Sequence, residues 1–202
     1  MLKKPWEYHA DLSADRLQLI AKVLRDSRRD TILLHDPGAG DTSWSLGCRI
    51  YARSADKLLR AGADLWPWLK VISPPLEFIF SVGEVPLRFF HGDSDHPKGQ
   101  HLRVANAEAH QLDFAFGNGA VDLIWRLCVE TNAAGETDQI VLIGSSTGGE
   151  IACKYVIPPL EGTVMLFKPL RPQIGSGVEL PAPPVTPRKG KQLKDEDEGK
   201  EV

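Results

Sequence analysis

Gly144-Ser145-Ser146-Thr147-Gly148 is the most specific chemical pattern in the chain, fitting the G-x-S-x-G turn that exposes a serine nucleophile. It follows the apolar run from Ile140, the strand context that such a turn needs. An α/β-hydrolase then requires a histidine base later in the chain. The six histidines are His9, His35, His91, His96, His101 and His110, and none follows Ser146. Beyond Gly149 the pattern has period two: Ile151, Cys153, Tyr155 and Ile157 alternate with other residues. Thr147-Gly148-Gly149 therefore reads as a hairpin turn, with Gly148 or Gly149 at positive φ, and no catalytic residue is assigned.

A second group is His91, Asp93 and His96, with His101 and His110 downstream. Two imidazoles and a carboxylate suit zinc, manganese or iron, and these three are the candidate metal ligands of a metal-dependent hydrolase or nuclease. The same stretch is rich in turn formers, Gly92, Asp93, Ser94, Asp95 and Pro97, which account for it as a plain loop. No cofactor is assigned. A third group, Arg88, Lys98 and Arg103 beside Phe89, Phe90 and His101, offers phosphate contacts and stacking rings for a nucleic-acid-binding module. Its rival is core packing of the rings under a solvated basic rim.

Two weaker groups remain. Asp36-Pro37-Gly38-Ala39-Gly40-Asp41-Thr42-Ser43 follows the apolar run Thr31–His35, read as a strand, precedes a possible helix, and could turn backbone N–H groups toward phosphate. It lacks the Gly-Lys-Ser/Thr ending of a P-loop and the third glycine of a dinucleotide fingerprint, so a plain loop is favoured. Asp138, Glu150 and Lys154 would suit a two-metal nuclease if they converged; Glu150 and Lys154 share one face of a strand.

The elements that must position these groups follow from periodicity. Leu17, Ile20 and Leu24 fall on one helical face, with Ser13 as cap and Asp15 and Arg28 toward the ends. A second helix is expected from Ser54 toward Leu65, with Leu58, Leu59 and Leu65 inward, and Pro67 stopping it between Trp66 and Trp68. Residues 76–91 read as a hairpin around Gly83-Glu84, with Pro86 suggesting an edge or a bulge. A short helix is expected over 104–111 and an extended segment over 112–116. Leu123, Trp125, Leu127 and Val129 open a three-strand meander whose first loop is 132–138 and whose later strands are 140–145 and 150–157.

The 202 residues predict one α+β domain over 1–175, N-terminal helices on a largely antiparallel sheet built from the hairpin and the meander. Residues 176–202 are a linker and a charged tail. From Pro181 onward there are four prolines, five basic and five acidic residues, a composition that reads as disordered. The formal net charge of -3 gives nucleic acid no support. Three widely spaced cysteines argue against a disulfide framework and for a reducing cytoplasm. There is no run of 18 apolar residues to span a membrane, and the N-terminus lacks a signal-peptide core. The expected partner is another protein: a non-catalytic cytoplasmic accessory subunit that works through protein–protein contacts.

Overall fold

The apolar stripe at Leu17, Ile20 and Leu24 is the buried face of a long helix, because side chains three and four apart stack on one side of the cylinder. A computed structural model describes residues 3–74, 77–109 and 123–160, all within one compact unit. Its helices are α1 (Pro5–Tyr8), α2 (Ala14–Ile32), α3 (Ser43–Asp64) and α4 (Gly99–Leu102). Its strands are β1 (Leu69–Ser73), β2 (Ile79–Val82), β3 (Val85–His91), β4 (Ile124–Thr131), β5 (Thr137–Ser145) and β6 (Ile151–Ile157). Residues 106–109 are also helical.

The six strands form one sheet in sequence order. Every neighbouring pair is antiparallel except β3 and β4, which run parallel in the register Leu87–Trp125 to His91–Val129. A parallel pair needs a crossover, and the residues between His91 and Ile124 supply it. The hairpin and the meander expected from sequence are thus joined side by side into an α+β fold. The alternation in β4 sends Trp125, Leu127 and Val129 to one face and Arg126, Cys128 and Glu130 to the other. The helices cover the first face: α2 packs on β5 and β6, and the Tyr51 ring of α3 lies 5.1 Å from Phe89. On the second face Phe90, Cys128, Val141 and Ile143 form a small buried cluster.

Several expectations are corrected. Thr31–His35 is not a strand: α2 runs on to Ile32, Thr31 Oγ1 donates to the Ser27 carbonyl at 2.6 Å, and Leu33 N–H closes on Arg29. A short apolar run does not distinguish helix from strand by period alone. Arg28 consequently lies inside the helix, where its Nε donates to the Gly135 carbonyl at 2.5 Å. Ser13 is the N-cap residue, but its side chain makes no capping bond. α3 begins at Ser43 rather than Ser54, because Thr42 and Ser45 cap each other's N–H groups. Leu59 and Leu65 are exposed, and only Leu58 of that trio is inward.

Pro86 sits in an interior strand, not an edge. It pairs with Ser81 on the β2 side, and β4 begins its ladder one residue later at Leu87, so the missing N–H breaks no bond there. The expected loop 132–138 ends early, since β5 starts at Thr137. The strand β1 was not expected at all. Of the 104–111 helix, 106–109 is helical; 110–111, the segment 112–116, Leu76 and the tail from 176 lie outside the described residues.

Candidate functional site

β2 pairs with β3 only as far as Phe80–Leu87, so among the described residues Arg88–His91 have a strand neighbour, β4, on one side only. A cavity of about 390 Å³ opens at this edge. Arg88 and Arg126 bring guanidinium groups to it, His91 and His101 imidazoles, and Tyr51, Phe89 and Phe90 rings. Alternation along β3 explains the mixture: Arg88 and Phe90 point to one face of the sheet, Phe89 and His91 to the other.

Arg126 is the floor. Its side chain is 1 % exposed and that of Glu108 is 0 % exposed. The Nη1 donates to Glu108 Oε1 and the Nη2 to Oε2 at 2.9 Å, a bidentate pair. The remaining donors reach three carbonyls: Nε to His101 at 2.8 Å, Nη2 to Arg103 at 2.9 Å and Nη1 to Trp125 at 2.9 Å. Burial works against the charge of Arg126 and Glu108 sustains it. The guanidinium thereby fastens residues 101–108 onto the sheet, and with them the imidazole of His101. That ring stacks on Phe90 with centroids 4.4 Å apart and planes 8° from parallel. Burial, then the cations of Lys98, Arg88 and Arg126, hold His101 below the usual imidazole range. Arg88 itself donates from Nη1 to the Arg103 carbonyl at 3.4 Å and has no carboxylate partner among the described residues.

Of the candidate metal ligands, the structure joins two. His96 Nδ1 lies 3.2 Å from Asp93 Oδ2, and Asp93 also accepts the Asp95 N–H at 2.7 Å. His91 instead meets Thr131 Oγ1 through Nε2 at 3.0 Å, and burial and then Arg28 hold it below its usual range. Among the described residues no group of three His, Cys, Asp or Glu side chains is placed to hold a metal, and His110 lies outside them. The loop is tied down otherwise: Ser94 N–H donates to Glu130 at 2.9 Å and Lys154 Nζ to Asp95 at 2.5 Å. That bond occupies the lysine of the nuclease grouping. Asp138 is five residues along β5 from Ile143, the register partner of Lys154, about 17 Å away at strand rise. Of the basic group, Arg88 lines the cavity and reaches the Arg103 carbonyl, and Lys98 precedes α4.

Ser146 is in a hairpin turn, not an elbow. Its backbone exchanges bonds with Glu150 and Gly149, its hydroxyl accepts the Glu150 N–H at 3.2 Å, and a strand follows. Gly149 takes φ 86°, while Gly148 does not turn positive. Gly144 is small for a different reason: a Cβ there would lie 2.8 Å from the Trp125 ring. The Asp36 turn follows a helix and closes on itself. The N–H groups of Gly38 and Ala39, free for phosphate in the sequence reading, both donate to Asp36 Oδ1. Burial first of all pushes the Cys128 thiol up to about 12 and the Cys153 thiol up to about 11, which disfavours the thiolate.

The α2–α3 connection presents a different feature. Leu33 is 77 % exposed, Leu34 59 % and Trp44 77 %. The backbone between them is held by Asp41, which accepts the Asp36 N–H at 3.0 Å and Arg49 Nη2 at 2.5 Å. No family model matches the chain, and neither does any curated protein or solved structure.

Arg126, Glu108 and Tyr51 were not singled out from sequence. For Arg126 the signal was there: residues 124–129 are apolar on both faces except at 126. A strand buried on both sides reads that way, and a lone arginine inside it must find a carboxylate.

Proposed function

We propose that this chain is a non-catalytic accessory subunit that works in the cytoplasm by binding another protein, with Leu33, Leu34 and Trp44 as its anchor. The observation that carries the reading is the exposure of three large apolar side chains flanking one hydrogen-bonded connection. Scattered surface leucines need no explanation, but an exposed tryptophan at the start of the helix that follows the two leucines matches the composition of binding hot spots. The partner offers an apolar recess of aromatic size. An ordered connection reduces the conformational entropy lost on docking. Two features fit the cytoplasmic setting: three unpaired cysteines, and the absence among the described residues of a helix long and apolar enough to cross a membrane.

The test pairs Trp44→Ala and Leu33→Ser with a photo-crosslinking amino acid at position 34 in native cells. Both variants keep the melting temperature of the parent, because the side chains they alter are largely in water. Each weakens the crosslinked complex by about tenfold or more, as loss of a hot-spot residue does. A complex indifferent to both substitutions, or no crosslinked partner at all, overturns the anchor.

A further inference from the structure

We propose that the cavity beside Arg88–His91 of β3 binds a nucleotide unit, with its phosphate on Arg88 and its planar base against the outer face of His101. The inference concerns other residues than the α2–α3 anchor and stands independently of it.

Charge is the first argument. The cavity has two guanidinium groups, and among the described residues only Arg126 is answered by a carboxylate. Arg88 donates to one carbonyl at 3.4 Å, a length at which little of the bond remains. Its fork is available for a bidentate phosphate, the geometry that guanidinium matches best. Neither ring nitrogen of His101 has a partner among the described residues, so this imidazole adds a donor beside Arg88. Burial first, and then the cations of Lys98, Arg88 and Arg126, hold His101 below the usual imidazole range. An anion would relieve that crowding.

The second argument is shape. A volume of about 390 Å³ lies toward the small end of ligand sites and holds one nucleotide, not a duplex. The stacked Phe90–His101 pair, on the same face as Arg88, gives a base a stacking surface, which accepts any base because every base has a π-face. Phe90 and His101 already stack on each other, so His101 offers its outer face.

A nucleotide can come free or within a single strand, and the assay separates the two. Adenosine monophosphate, adenosine and a ten-residue oligothymidylate are titrated against the full chain at low salt, while the His101 ring protons are followed by NMR. We expect saturable binding of the monophosphate, weaker by about tenfold or more for adenosine and in Arg88→Ala, since a charge-assisted bidentate pair is lost. Bound monophosphate raises the His101 pKa, which a merely structural histidine would not show. Arg88→Lys retains part of the affinity as a point charge without the fork. Binding of the oligomer but not of the monophosphate, still lost in Arg88→Ala, assigns the same site to a strand. Adenosine binding as tightly as the monophosphate, affinity unchanged in Arg88→Ala, or a His101 titration unmoved by saturating ligand each overturns the proposal.

Discussion

Arg126 and Glu108 show how one side chain decides the placement of many. The guanidinium leaves none of its described donors idle: a carboxylate and three carbonyls take them. Such a pair adds little stability over an apolar pair of equal volume, because both charges lose their hydration. What it does is specify: only one position of residues 101–108 satisfies it. Removing one partner is another matter. Glu108→Ala leaves a positive charge inside the protein, and we expect a loss of about 3–5 kcal/mol in urea unfolding. The double variant Glu108→Leu with Arg126→Met should recover most of that loss. It should also free His101 from its stack on Phe90, read as a change in the His101 ring shifts. A double variant as unstable as the single one would mean that the pair itself, rather than an abandoned charge, holds the fold.

At the scale of elements, legibility depended on whether a signal was local. The strands β3 to β6 were legible, in the alternation of Val85, Leu87 and Phe89 and of Ile151, Cys153, Tyr155 and Ile157, and in the apolar run from Ile140, because burial writes itself into the sequence locally. The parallel pairing of β3 with β4 was not. It rests on a crossover, and no residue of either strand announces which neighbour it will take. The start of α3 was hidden because Thr42 and Ser45 form a capping box without the usual glutamate, and Trp44, read by its apolarity, faces water. The β5–β6 turn was foreseen down to two glycines, and the structure chooses Gly149. The choice gives a sharp comparison. Gly149→Val forces a branched side chain to φ 86°, costing about 1–2 kcal/mol or more. Gly148→Val meets only Ser146 Oγ at 3.6 Å and should cost less than half as much. Thermal melts of the two variants decide it; equal losses would place the left-handed residue elsewhere.

Across the whole molecule, the two histidines of the cavity couple folding to pH. Burial, and then nearby cations, hold His91 and His101 below their ordinary value of 6.5. The unfolded chain therefore takes up protons on these imidazoles at a pH where the folded chain does not. Above that ordinary value both states are neutral and the histidines contribute no slope. As pH falls below it the unfolded state gains protons first, so stability declines until the folded-state values are passed. Among the described residues the charged groups facing these rings are Arg28 at His91, and Lys98, Arg88 and Arg126 at His101, all cations, so protonation finds no compensating partner among them. The carboxylates act lower. Asp11, Asp30, Asp41 and Asp93 are held below 3.8 and Glu130 below 4.5, so their stabilisation is lost only as pH falls past those values. The window from about 6.5 to about 5 thus belongs to imidazoles. Urea midpoints measured across it should fall with pH in the parent. His101→Gln, which keeps a polar group but cannot titrate, should flatten the slope, and adding His91→Gln should flatten it further. Adenosine monophosphate at saturation should also flatten it in the parent, by favouring the protonated His101 of the folded state. A slope unchanged in the double variant would assign the proton uptake to other groups and remove the cationic crowding of His101 as a physical feature of the cavity.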